Sequence, residues 1–470
     1  MLDDPRLAPT ADDISALRAV FRGELLERDS AAFDEVRIVW NGMIDRRPTL
    51  IARCRNAGDV AEAVRFARAH GLAIAIRCGG HNVAGYAVCD GGLMIDLSLM
   101  NAVRIAPSLD RAFVEGGATW GDVDAATTPF GRATPGGLIS LTGVGGLTLS
   151  GGIGWLRGRH GLSADNLVGA DVVLADGTLV HASANENPDL LWALRGGGGN
   201  FGVVTNFEFA LHPIEPELMF CGPAYPEERA NEILPLWRDF MATAPEALSG
   251  LAEFSTVPDD PAYPEEARGR RVVALAHVVD GPAEEGERVT MPLRQFGEPL
   301  LDFSARLPYR QIQALYDALF PKGRDRCYWK STYLKALDDG IIREITAGLS
   351  RRPSEMTFAS IWKFGGAVQR VKPDATAFGD RSMPYMLSLD AIWSTAADDE
   401  KNIGWVRGLW DAMQVHSTGR LYLNFPGHGE DDGHLVERAL GREVYKRLQA
   451  VKRRYDPDNV FRLNQNVLPA

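Results

Sequence analysis

The sequence predicts a two-domain α+β protein, and three observations carry that reading. The 470 residues suffice for two or three domains with sizeable cores. In the first 212 residues, helical and short apolar strand-like segments are joined by glycine-rich loops. After Pro213 glycine thins out and strands mix with longer helices, the pattern of an antiparallel sheet with helices on one face.

The elements follow in order. Residues 10–21 predict a helix, with Thr10 and Asp13 at capping-box spacing and Ile14, Leu17 and Phe21 in a stripe. Residues 59–70 predict a second, closed by Gly71, and 72–76 a buried strand that ends in Arg77-Cys78-Gly79-Gly80-His81-Asn82. Strands at 93–97 and 113–115 and a helix at 120–128 come next. Residues 131–154 are too rich in glycine for a stable helix but let backbone amides approach a ligand. Residues 168–182 read as a hairpin with a type I′ turn at Asp176-Gly177. A short helix at 188–195 leads through a second glycine cluster to a strand at 203–211. Beyond Pro213, helices are expected at 227–244, 308–319, 338–349 and 442–455, and strands at 272–279, 357–363, 384–392 and 421–425.

Composition excludes several classes. The formal net charge of −12 disfavours nucleic acid and anionic membrane partners. No apolar run is long enough to cross a bilayer, and the acidic N-terminal stretch shows no signal peptide. Cysteines 54, 78, 89, 221 and 327 are odd in number and form no CxxC pair, which points to a reducing cytoplasm. Gly197-x-Gly199-x-x-Gly202 has Rossmann spacing, but it follows a helix and opens a strand, the reverse of the Rossmann context. His428 and His434 flank Glu430, Asp431 and Asp432 without standard metal spacing, and this stretch reads as a solvated acidic loop; no metal is expected.

The Arg77–Asn82 loop presents several amides and an imidazole in one concavity, a natural pyrophosphate nest. RCGGHNVAG, the segment from Gly136 to Trp155 (GGLISLTGVGGLTLSGGIGW), Asp165-Asn166-Leu167, GGGGNFGVV before Thr205, Tyr422-Leu423-Asn424 and YDPDNVFRLNQNVLP from Tyr455 occur in a fixed order. Together they resemble the vanillyl-alcohol oxidase / para-cresol methylhydroxylase flavoprotein superfamily, in its berberine-bridge-enzyme-like branch, with the flavour of bacterial hydroxynicotine-oxidase-like proteins.

The resemblance implies a PCMH-type FAD-binding domain over 1–212, a substrate domain over 213–425 and a C-terminal segment, 426–470, that returns to the FAD domain. It implies FAD joined through its 8α-methyl carbon to His81. Arg77, Cys78, Gly79, Gly80, Asn82 and Gly85 would form the first flavin loop. Gly137, Thr142, Gly143, Gly146, Leu147, Thr148, Gly152 and Gly154 would form the second, supported by Asn166, Asn200, Gly202, Val203, Val204, Asn424, Asn464 and Asn466. Many members carry a second link from a cysteine to flavin C6. Ile139 stands at that position here, so no 6-S-cysteinyl link is expected. Thr142 replaces the small aliphatic residue common in members that react well with oxygen.

Tyr422 matches the tyrosine that the branch presents over the flavin. A phenol serves as a base only if its pKa falls from about 10, and Lys330 is the candidate source of the charge that would lower it. The expected activity is oxidation of a small molecule at a C–H next to an amine or hydroxyl, with O2 reduced to hydrogen peroxide. The rival readings are a carbohydrate oxidase, a flavin dehydrogenase with another acceptor, and a flavin-loaded binding protein without turnover. The sequence does not decide between a monomer and a homodimer.

Overall fold

A computed structural model describes residues 9–430 and 433–470. The first eight residues, which hold most of the stretch read as leaderless, and Asp431 and Asp432 of the acidic loop lie outside the described residues. Thr10 caps the helix Ala11–Val20 by the expected reciprocal bonds with Asp13. Asn56 caps Ala57–Ala69 through the Asp59 amide. The following strand, Ile74–Arg77, lies parallel to Leu93–Asp96, which lies parallel to Leu50–Arg53. A parallel three-strand core with a helix crossover thus delivers Arg77 and the glycine loop to one end of the sheet.

A five-stranded antiparallel sheet completes this part, in the order Val103–Ile105, Arg111–Glu115, Val203–Ala210, Leu167–Val173, Leu179–Ser183. Its hairpin turns differently from the type I′ expectation. The Gly177 amide bonds the Leu174 carbonyl and only Gly177 has positive φ, so a type I turn is followed by a left-handed glycine. The glycine-rich stretch also holds a short helix, Val144–Leu149, contrary to expectation. Burial of Val144, Thr148 and Leu149 offsets the low helix propensity of Gly145 and Gly146.

After Pro213 the chain builds a nine-stranded antiparallel sheet. Leu248–Thr256, Phe358–Lys363, Tyr385–Trp393 and Arg326–Leu334 are consecutive neighbours, the last of them at one end of the sheet. The first and last of these are strands that the pattern reading missed, and so are Leu218–Cys221 and the helix Asp399–Met413. Helices Ala230–Thr243, Asp339–Leu349 and Asp399–Met413 bury Trp237, Ile345 and Val406 against one face. The other face packs Leu251, Trp362, Met386 and Tyr333 against Ile153, Trp155 and Tyr422. The helix expected at 308–319 is only Tyr309–Gln313 followed by a 3-10 turn, and the strand expected at 421–425 is a turn.

The helix Arg442–Tyr455 returns to the first part, where Leu448, Val451 and Tyr455 share a core with Leu190 and Phe201. Lys452 on this helix is fully buried. Its Nζ donates to Asp456 Oδ2 at 2.7 Å, to the Asn200 carbonyl at 2.7 Å and to the Phe461 carbonyl at 2.8 Å. Asp456 in turn accepts the Val460 and Phe461 amides at 2.8 and 2.9 Å. This network ties the C-terminal tail to the second glycine cluster. Lys452→Met leaves Asp456 buried without its cation, so urea unfolding is expected to show a loss of about 3–5 kcal/mol. The exposed Arg65–Glu62 pair, by contrast, is expected to cost less than about 1 kcal/mol when cut.

Candidate functional site

The site grows from the loop after Ile74–Arg77. The Arg77 guanidinium turns away from the loop, to Asp96 at 2.9 and 3.1 Å and to the Val36 carbonyl, so it anchors the loop from behind. Gly79 and Gly143 then meet backbone to backbone. A Cβ on Gly143 would lie 2.2 Å from the Gly79 nitrogen, and one on Gly79 would lie 2.4 Å from the Gly143 nitrogen. Gly80 takes φ +72°, and its carbonyl accepts the Trp40 amide. That turn presents His81 to a cavity, with Trp40 stacked on the imidazole at 5.6 Å and 14° between planes. Among the described residues no hydrogen bond engages the His81 ring. Burial, helped by the charge of Lys322, lowers its pKa to about 4, so the imidazole is neutral.

The cavity enclosed here has about 1880 Å³ of empty space, its open mouth included. Of the residues expected around a cofactor, Cys78, Gly79, Gly80, His81, Asn82, Gly137, Thr142, Gly143, Gly146, Leu147, Gly202, Val203, Val204, Asn424 and Asn464 line it, and so do Tyr422 and Ile139. The rest do not reach the lining. Gly85 turns against Ile44, Gly152 against Ser163, and Gly154 against the Gly136 carbonyl. Asn166 is spent on the His160 and Leu162 carbonyls and on His212, and Asn200 clasps the Gly197 and Gln465 carbonyls and the Val467 amide. Thr148 and Asn466 are not in the lining either. These residues shape the loops from behind. Cys78 Sγ bonds the Ala118 carbonyl at 3.3 Å, and burial raises its pKa to about 11, so it is an inert thiol.

Two features fit these residues to a flavin dinucleotide. A Cβ on Gly146 or Gly199 would meet nothing within 4 Å, so both present bare backbone to open space. Asn464 Oδ1, on a residue of the lining, is buried without a partner among the described residues. Open backbone and an unspent polar atom on three separate segments suit a long polar group with a flat ring.

Tyr422 and Lys330 correct the expectation. The Tyr422 hydroxyl accepts the Gly152 amide at 3.0 Å and the Asn424 side-chain amide at 2.7 Å, and burial raises its pKa to about 12 instead of lowering it. Lys330 does not lend it charge. Lys330 pairs with Glu430 and lies over Trp410, 4.0 Å from the ring centroid. It points to the other face of its strand from Trp329, which lines the cavity.

The sheet supplies what the sequence reading missed. Glu253 pairs across the strands with Ser360, and Ser360 with Ser388, two residues before Asp390. Both carboxyls line the cavity, and burial raises Glu253 to about 8 and Asp390 to about 7. The readable signal was a lone acid inside each of two apolar strands, LAEFST and MLSLDAIW.

The contact between the loops yields a prediction. Gly143→Ala forces its methyl into the Gly79 backbone and Cys78 Sγ. It is expected to lower stability by about 1–3 kcal/mol, read from thermal unfolding, and to cut cofactor content, read from visible absorbance. An alanine variant with wild-type melting and colour would show that the loops do not depend on this contact.

Comparison with known proteins agrees with the geometry. Residues 48–183 match the FAD binding domain family, and residues 421–468 match the berberine and berberine-like family. The chain is 34% identical to (R)-6-hydroxynicotine oxidase of Paenarthrobacter nicotinovorans over 95% of this chain and 97% of that one. The solved 6-hydroxy-D-nicotine oxidase from Arthrobacter nicotinovorans superposes with a TM-score of 0.85 at 32% identity, covering 96% of this chain and 98% of that one. Glucooligosaccharide oxidase from Acremonium strictum, described with a 6-S-cysteinyl, 8α-N1-histidyl FAD, superposes with a TM-score of 0.85 at 26% identity, covering 97% and 99%. The chain belongs to the berberine-bridge-enzyme-like branch of the vanillyl-alcohol oxidase superfamily, and it is an FAD-dependent oxidase of small molecules.

Proposed function

We propose that the flavin is held by one covalent link, from His81, and that the enzyme oxidises a C–H next to an amine or hydroxyl. The observation that carries this reading is His81 itself, a neutral imidazole without a hydrogen-bond partner that is stacked on Trp40 at the cavity wall. FAD, when bound, takes a hydride from the substrate and passes the electrons to O2, giving hydrogen peroxide. The loops Cys78–Asn82 and Thr142–Leu147, with Gly199, Gly202 and Asn464, hold it. Ile139 stands in the cavity wall where a cysteine would make a second link, and Cys78 is bonded to backbone, which supports a single attachment.

Tyr422, with two donors on its oxygen, keeps its own O–H to donate toward the cavity. A proton lost by the substrate goes to Glu253 or Asp390, the carboxyls that the cavity contains. The five cysteines are free thiols, which supports a reducing, cytoplasmic setting, and no described helix is long and apolar enough to cross a membrane. The division at about residues 212 and 425 is supported by the separate sheets on either side of Pro213 and by the return of Arg442–Tyr455.

Anaerobic mixing with a panel of amines, alcohols and oligosaccharides tests the activity. At least one is expected to bleach the flavin, and admitted air is expected to restore it with formation of peroxide. Slow recovery in air but fast recovery with an artificial acceptor would make the protein a dehydrogenase, and no bleaching by any candidate would make it a binder. Tyr422→Phe separates donor from base. As a neutral donor its loss is expected to slow flavin reduction by about tenfold or less, with the pH profile unchanged. A loss of about 10²–10⁴ with a flattened pH profile would restore the tyrosine as the base.

A further inference from the structure

Where it lines the cavity, the large sheet carries two buried acids inside an aromatic wall. Glu253 and Asp390 stand two strands apart, and Asp390 lies two residues along from the Glu253–Ser360–Ser388 row, so their backbones are roughly 12 Å apart on the diagonal. Trp329, Phe358, Trp362 and Phe320 surround them in the lining. The Trp362 indole N–H donates to Ser388 Oγ at 3.1 Å, and Ser388 Oγ donates to Asp390 Oδ2 at 2.9 Å. This relay fixes the carboxyl and leaves Oδ1 buried without a partner. Asp390 as a whole is 8% exposed, so that oxygen has lost water and gained nothing.

No lysine or arginine is among the described residues that line the cavity. The titratable groups that face it are Tyr316, which approaches Glu253, and at the flavin end His81, Cys78, Tyr86 and Tyr422. Arg157 lies over the Trp362 ring at 5.5 Å but gives its N–H groups to the Gly154, Gly250 and Lys363 carbonyls. Among the described residues nothing cationic therefore compensates the two acids when they ionise. A ligand can supply that positive charge, and aromatic faces favour an organic cation over a hydrated metal ion.

Building on the oxidase reading above, we propose that this pocket selects a cationic amine with an aromatic or aliphatic body, its ammonium held between Glu253 and Asp390 and its body in the slot formed by Trp329, Phe358 and Trp362. The arrangement argues against a sugar, which would need polar partners all round its ring, and against an anion, which meets two acids. With the pocket empty, both acids share one buried site, and desolvation raises Glu253 to about 8 and Asp390 to about 7, so near pH 7 the pair keeps much of its protonation. A bound cation stabilises the ionised form. A permanent cation therefore expels a proton on binding at neutral pH, and its affinity rises with pH until the acids are ionised in the empty site as well.

The probes are benzyltrimethylammonium, a cation that the flavin cannot oxidise, and its uncharged carbon counterpart neopentylbenzene. Both are titrated into the holoenzyme and followed by the shift in flavin absorbance. The cation is expected to bind at least about tenfold more tightly at pH 9. Its affinity is expected to fall about tenfold between pH 8 and pH 6, while that of neopentylbenzene stays constant. Glu253→Gln and Asp390→Asn are each expected to weaken the cation at least about tenfold and to leave neopentylbenzene within about twofold. Equal binding of the two probes, a flat pH profile, or variants that weaken both probes alike would overturn the proposal. Wild type alone answers through the probe pair and the pH series, so a variant that does not fold leaves the test intact. The parent reading fails separately, through a purified protein without flavin.

Discussion

The site rests on one contact, the meeting of Gly79 and Gly143 backbone against backbone. Neither position has room for a methyl group, because each nitrogen sits where the other's Cβ would go. Only with both glycines in place does the loop from the parallel strands close on the loop from the short helix Val144–Leu149. That closure presents His81, Thr142 and the Gly146 backbone to one space. Trp40 completes it from outside, stacking on His81 while its indole N–H bonds the Phe320 carbonyl at 3.0 Å. Phe320 and Trp329, whose rings also pack on Trp40 at 6.1 and 5.1 Å, line the cavity, so this one tryptophan couples the attachment loop to the aromatic wall.

Burial governs the chemistry of five titratable groups in the cavity. It holds His81 neutral, raises Cys78 and Tyr422, and lifts Glu253 and Asp390 toward neutrality. The common cause is the cost of placing a charge where water is excluded. A site of this kind keeps a neutral imidazole and two acids with raised pKa values in one cavity without an internal ion pair. Elsewhere the protein buries matched charges, as at Lys452–Asp456 and Arg381–Asp165, where the role is to hold loops in place.

Much of the flavin half was legible because backbone geometry dictates residue type there. A loop that must take positive φ at Gly80, or pass within van der Waals contact at Gly79, leaves a glycine in the sequence. The capped helix at Thr10 was legible for a similar reason, whereas the Asn56 cap of Ala57–Ala69 was not read and that helix was expected to begin at residue 59. The substrate half was harder. The strands Leu248–Thr256 and Arg326–Leu334 are covered on both faces, so their alternation is blurred and the acid at Glu253 passed unnoticed. The short helix Val144–Leu149 escaped because tertiary burial, not propensity, supports it. Tyr422 was found by its motif, but its role was misjudged. Whether a phenol is lowered or raised depends on what surrounds it, and the Gly152 and Asn424 donors arrive from distant or folded-back segments.

The central claim is that the geometry of the two loops prepares His81 to hold the flavin alone. Intact-mass measurement of the unfolded protein, followed by sequencing of the flavin-bearing peptide, tests it most directly. The account predicts a mass increased by one flavin dinucleotide, with all of it on the peptide containing His81 and none on peptides containing Cys78 or Ile139. An unfolded chain at its bare polypeptide mass, or flavin attached at Cys78, would contradict it.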